Sequence, residues 1–119
     1  MKDYKQLKIF EKARIFNKEL YSISKLFPPE EKFGLTNQIR RASVSIAANI
    51  AEGCGRNNDK EFARFLNIAY ASACEVECLI LIVIDIEILK KSDLAGLLNQ
   101  LDEIKKMAFG FARKLRSEN

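Results

Sequence analysis

The 119-residue sequence predicts an all-α fold: one antiparallel up-down-up-down four-helix bundle over residues 1–119, assembling as a homo-oligomer. Three observations carry this expectation. Breakers are few, with two prolines and five glycines in the whole chain. Pro28-Pro29 and Gly53-Cys54-Gly55 are the strongest, and Lys91-Ser92-Asp93 is a weaker third boundary, so the chain falls into four segments. Each segment repeats apolar residues at spacings of three and four, the period of an amphipathic helix. The two middle segments are apolar on more than one face, a surplus that points to a partner surface.

In the first segment Ile9, Ala13, Phe16, Leu20, Ile23 and Phe27 share one face, and Lys8, Lys12, Lys18 and Lys25 lie off it. A helix over 5–27 follows. In the second, Leu35, Ile39, Ala42, Ile46, Ile50 and Gly53 repeat the pattern and predict a helix over 30–54. Pro29 suits a first helical position, and Glu30 and Glu31 favour the positive end of the dipole; Gly34 stands as an interruption of that first turn. The third opens on Asn58-Asp59-Lys60-Glu61, a capping-box pattern, and meets no Gly or Pro before Gly96, which predicts a helix over 59–90. Residues 82–88, Ile-Val-Ile-Asp-Ile-Glu-Ile, alternate like a strand, but the unbroken length around them favours helix. In the fourth, Leu94, Leu97, Leu101, Ile104, Ala108, Phe111 and Leu115 predict a helix over 93–116, with Ser92 as its cap.

The second helix gathers its polar groups on one narrow stripe of Gln38, Arg41, Ser45, Asn49, Glu52 and Arg56, with Val44, Ala47, Ala48 and Ala51 elsewhere. The third carries two apolar rows. Beside Phe62, Phe65, Ala69, Val76, Leu79, Val83 and Ile86 runs a second row of Leu66, Tyr70, Ala73, Ile80, Ile84 and Ile88. One four-helix core is not expected to cover both, so self-association through helices two and three is inferred. The alternative is a single, wide core.

Composition excludes much chemistry. There is no histidine, which removes Ser-His-Asp and Cys-His catalysis, His-ligated metals and the Glu-x-x-His pairs of di-iron bundles. Cys54, Cys74 and Cys78 are an odd, scattered set. Cys74 and Cys78 have the i, i+4 spacing of a two-ligand arm, but only Cys54 is at hand as a third ligand, so they read as packed, reduced thiols. The N-terminus lacks an apolar leader, and the longest uninterrupted apolar run, Cys78 to Ile84, is short of the about 20 residues a bilayer needs. A cytoplasmic, non-enzymatic protein without cofactor or membrane partner is expected.

The stretch from Leu35 to Arg56 contains Arg40-Arg41-Ala42, Ser45-Ile46, Asn49-Ile-Ala-Glu-Gly53 and Gly55-Arg56, and a Phe-Leu-x-Ile-Ala helix follows at 65–69. This pattern resembles the small bacterial four-helix bundle proteins first noticed as products of intervening sequences in 23S ribosomal RNA genes. The likeness is close over helices two and three and looser over helix one; Ala71-Ser72 stands where the family pattern has Gly-Ser. The resemblance implies a homopentameric ring with a central channel. It extends to the accessory variability determinant of diversity-generating retroelements, a basic pentamer that binds nucleic acid and a reverse transcriptase. RNA or DNA, and by analogy a reverse-transcriptase-like protein, are thus implied partners. For most members no biochemical role is established.

Twenty Lys and Arg stand against sixteen Asp and Glu, a net charge of +4. Helix one is the most basic part, with Lys2, Lys5, Lys8, Lys12, Arg14, Lys18 and Lys25 against Asp3, Glu11 and Glu19. Lys5, Lys8, Lys12 and Lys18, with Arg40, Arg41 and Arg56, are the candidate nucleic-acid contacts; five copies would carry about +20. Against this stands an ordinary solvated helix face. Gln38, Ser45, Asn49, Glu52, Gly53 and Gly55 form the structural motif of helix two, read either as hydrogen-bonding aids to Arg41 and Arg56 or as structural and subunit contacts. Gly53 and Gly55 are expected to end a helix, because no Gly-Lys-Ser/Thr follows to make a phosphate loop. The functional expectation is low-specificity RNA or DNA binding by a basic oligomer; the alternative is a protein-interaction scaffold or accessory subunit.

Overall fold

A computed structural model describes residues 3–117, which form four helices: α1 Lys8–Ser24, α2 Leu35–Cys54, α3 Asp59–Asp85 and α4 Lys91–Ser117. Single 3-10 turns, Tyr4–Gln6 and Pro29–Glu31, precede α1 and α2. Each helix packs on its chain neighbours and α4 closes back on α1, while the backbones of the diagonal pairs stay apart across the core. The seams α1–α2 and α3–α4 therefore lie on opposite sides of a rod measuring 47 × 21 × 20 Å.

The helices are four, as expected, but their ends differ from the sequence reading. Helix α1 starts at Lys8, because Asp3 caps the 3-10 turn by accepting the Lys5 amide at 3.0 Å and Leu7 is extended. It stops at Ser24 rather than 27. The predicted second helix loses its first turn: Pro29–Glu31 closes as a 3-10 turn, and α2 begins after Gly34, whose φ, ψ of −111°, −112° are not helical. The Glu31 carboxylate then accepts the Leu35 amide at 3.2 Å, capping α2 from outside.

At the start of α3, Asn58 Oδ1 accepts the Glu61 amide at 2.8 Å, as the sequence predicts, while the Glu61 carboxylate turns to Arg64. The helix ends at Asp85, five residues short of expectation. Ile88 N–H donates to Val83 O and Glu87 N–H to Ile84 O, both at 3.0 Å, and Glu87 sits at φ 63°. This is a Schellman cap with glutamate in the left-handed position usually held by glycine. Helix α4 begins at Lys91; Asp93, not Ser92, supplies its start by accepting the Lys90 amide at 3.1 Å.

The predicted core faces meet in one cluster, with Phe16, Leu20, Ile39, Ile46, Ile50, Leu66, Ile80 and Leu101 wholly excluded from solvent. Each such side chain contributes roughly 1.5–3 kcal/mol of transfer free energy. One expectation is overturned here, that a single four-helix core cannot cover both apolar rows of α3. Helix α3 lies between α2 and α4, and Leu66, Ala73 and Ile80 of its second row are as buried as its first, so a single bundle covers most of both rows. Ile86, at the end of the first row, stays exposed, and so, outside the two rows, do Tyr4, Ile15, Leu26, Phe33, Val44, Leu81, Ile82 and Phe109. By length and composition α3 is the one described helix apolar enough to cross a membrane, which a search for uninterrupted apolar runs does not register. Only 39% of its apolar stretch is buried in the bundle, and Cys78, Leu81 and Ile82 of the same helix are exposed.

Candidate nucleic-acid interface

The seven basic residues singled out in the sequence do not share a surface. Lys12 pairs with Glu103 across the α1–α4 seam. Lys18 lines a groove on the opposite flank of α1, against α2. Arg40 is bound to α1: its Nε donates to Ser24 Oγ at 2.7 Å, a terminal nitrogen reaches Tyr21 O at 3.4 Å, and the guanidinium lies 4.7 Å from the Tyr21 ring centroid. Those contacts take two of its five N–H donors and tie α2 to the last turn of α1. Arg41 lines a separate groove between α2 and α3 with Gln38, Ser45, Phe33 and Glu75, whose carboxylate opposes an anion there.

The middle of the polar stripe is spent internally. Ser45 Oγ bonds Ser72 Oγ at 2.8 Å, and Asn49 Nδ2 donates to Ser45 O at 2.8 Å and to Ser45 Oγ at 2.9 Å. Ser72, which keeps the serine of the family's Gly-Ser while Ala71 replaces its glycine, is thus half of the α2–α3 polar contact. Gly53 lies inside α2 and is needed for close packing, because a Cβ there would stand 2.6 Å from Phe65 Cβ and 3.0 Å from the Phe62 ring. Gly55 follows the helix end, and a Cβ there would meet nothing closer than 3.4 Å. Glu52 and Arg56 make the i, i+4 pair at 3.7 Å, and Arg56 also stacks 4.9 Å from the Phe65 centroid.

The up-down topology brings together a different basic set. The start of α1, the α2–α3 turn and the last turn of α4 meet at one end of the rod: Phe62 and Phe111 pack edge-on at 5.0 Å, and Tyr4 reaches the groove lined by Ala51. Residues 3–8, 52–64 and 113–117 hold Lys5, Lys8, Arg56, Lys60, Arg64, Arg113, Lys114 and Arg116 against Asp3, Glu52, Asp59 and Glu61. The other described residues carry eleven cations and eleven carboxylates. The entire described excess of +4 therefore sits at this end. Arg56 and Arg64 are paired there, whereas Lys5, Lys8, Lys60, Arg113, Lys114 and Arg116 make no ion pair among the described residues. The Arg64 hydrogen bonds at 3.1 and 3.2 Å hold the Glu61 carboxyl below the usual carboxylate range, keeping that pair charged. Lys60, Arg64 and the α4 tail escape a reading of the sequence because they lie far apart along the chain; antiparallel order alone puts them together. Lys2 lies outside the described residues.

No metal-ligating cluster of three or more groups occurs among the described residues. Cys54 is buried, but Cys74 is half-buried and Cys78 exposed, so only one of the three thiols is packed as expected.

A model of the 23S rRNA-intervening sequence protein family matches residues 5–110. The chain belongs to that family. A crystal structure of a protein with unknown function from the S23 ribosomal protein family of Bacteroides thetaiotaomicron has the same fold, with a TM-score of 0.81 and 28% identity over 87% of this chain and 97% of that one. No curated protein matches. Membership supports the motif reading of α2 and α3 and leaves the family's biochemical role open.

Proposed function

We propose that this family member is a non-enzymatic, cytoplasmic homo-oligomer, a pentamer by resemblance, that binds RNA or DNA with little sequence preference through its basic end. The observation that carries this is the location of the charge: six unpaired cations crowd one end of the rod and the rest of the described chain is neutral. Copies related by an axis along the rod would place all such ends on one side and multiply the field. No helix-turn-helix, zinc-finger or RNA-recognition signature is present, so contact is to phosphate rather than base edges. A reverse-transcriptase-like partner rests on the resemblance alone.

Titrating salt against binding of short RNA and DNA tests the proposal. Counterion release predicts an affinity that falls steeply between about 50 and 200 mM salt, alike for unrelated sequences. Absence of binding at low salt would leave the scaffold reading in its place.

A further inference from the structure

Two of the three thiols lie at the surface, and they lie together. The residue pattern alone makes Cys74 and Cys78 packed thiols, but α3 turns both toward its outer face, Cys74 half-buried and Cys78 exposed. They are one helical turn apart, which separates their Cβ atoms by about 5–6 Å. A disulfide needs roughly 3.5–4.5 Å between Cβ atoms. Because α3 is helical from Asp59 to Asp85, the pair cannot close on itself without distorting the turn. An atom placed between the sulfurs fits the span: two bonds of about 2.3 Å, the length thiolates make to zinc, hold them up to about 4.6 Å apart.

The surroundings select the ion. Zinc and the harder cations require four or more ligands, and no group of three or more His, Cys, Asp or Glu able to hold a metal occurs among the described residues. Ala71 and Ile82, both exposed, bracket the pair one turn away on either side and offer no oxygen. Of the nearest carboxylates, Glu77 is taken by Lys105, both oxygens at 3.1 Å, and the exposed Glu75 is a hard ligand that a soft ion passes over. The Lys105 ammonium is also within electrostatic reach of Cys74. Two thiolates on a monovalent ion make an anionic complex, which that half-buried ammonium favours, whereas Glu75 opposes it from the solvent side, where water weakens its charge. We infer that Cys74 and Cys78 form a two-coordinate site for a soft monovalent cation of the copper(I) kind, each thiol releasing its proton to solvent as its sulfur binds. No electron is transferred. Cys74 lies fourteen residues, about 21 Å, along α3 from Lys60 at the basic end, so the site does not depend on nucleic-acid binding.

Anaerobic titration of the reduced full chain with copper(I) bicinchoninate tests this, loss of the chelate's colour reading the transfer of metal. The wild-type chain is expected to take one ion per chain. Cys74→Ser and Cys78→Ser should each weaken uptake by about 100-fold or more, because a single thiolate no longer chelates. The double variant, whose remaining thiol is the buried Cys54, should take none. Far-UV circular dichroism checks folding, and alanine replaces serine at either position if helical signal is lost. A wild-type chain that takes no ion overturns the site, as does a single variant that binds like the wild type. Uptake of one ion by two chains would assign the thiols to a bridge between copies and overturn the pair within one chain.

Discussion

Gly53 shows how a single residue sets the spacing of two helices. Its missing side chain lets α2 press against Phe62 and Phe65, and the added Cβ of Gly53→Ala would sit 2.6 Å from a carbon fixed to the α3 backbone. Neither helix can yield by a rotamer change, so the seam must open. Urea denaturation should show Gly53→Ala less stable by about 1–3 kcal/mol, the range for overpacked cores. An unchanged midpoint would mean that the seam is loose. From the sequence the same glycine reads as a helix end, since a breaker two residues from another glycine is the expected signature of a stop. Only the neighbouring helix reveals the close approach. Arg40 is a similar case: its charge is legible, but its bonds to Ser24 and Tyr21 depend on α1 ending beside it.

At the level of elements, periodicity places all four helices because each buries a regular apolar face, while ends set by single hydrogen bonds stay hidden. The stop of α3 is the plainest example, for a left-handed glutamate leaves no mark in the sequence. A non-glycine residue in that conformation costs about 1–2 kcal/mol, offset in part by the greater unfolded-state freedom that glycine brings. Glu87→Gly should therefore stabilise the protein by roughly 0.5–1 kcal/mol in thermal or urea unfolding; destabilisation would show that the carboxylate has its own role. The α3–α4 seam makes a pH-dependent prediction. Lys105 donates to both oxygens of Glu77 at 3.1 Å, and that bond raises its pKa above the usual 10.5. A raised cation pKa contributes stability that is complete below the unfolded value and fades as pH climbs through the folded one. Unfolding free energy should thus fall above about pH 10.5, and more steeply in the wild-type chain than in Lys105→Met. Equal slopes would remove the pair from the stability of the seam.

For the whole molecule, the sum of charge is legible in the sequence, but its position is not. A net charge of +4, matched by the excess in helix one, suggests a strip along that helix. Folding divides Lys12 and Lys18 between two flanks and instead brings Lys60 of α3 to the same end of the rod as Arg113 and Arg116 of α4. The two arrangements predict different mutant behaviour. If the basic end holds phosphates, Lys60→Glu with Arg113→Glu and Arg116→Glu should lower affinity for RNA and DNA at low salt. It should also flatten the slope of log K against log salt by about two to three, close to one for each phosphate no longer neutralised. Lys12→Glu with Lys18→Glu removes charge from the flanks and should change the slope by less than about one. Circular dichroism should stay unchanged in both, since none of these five residues is buried. The reverse ranking would move the interface back to α1, and equal small effects would mean that the charge keeps the particle soluble without holding a nucleic acid. The two variants shift the molecule's total charge in the same direction, by six and by four units, so their slopes are compared per charge reversed and what then separates them is where the change lies.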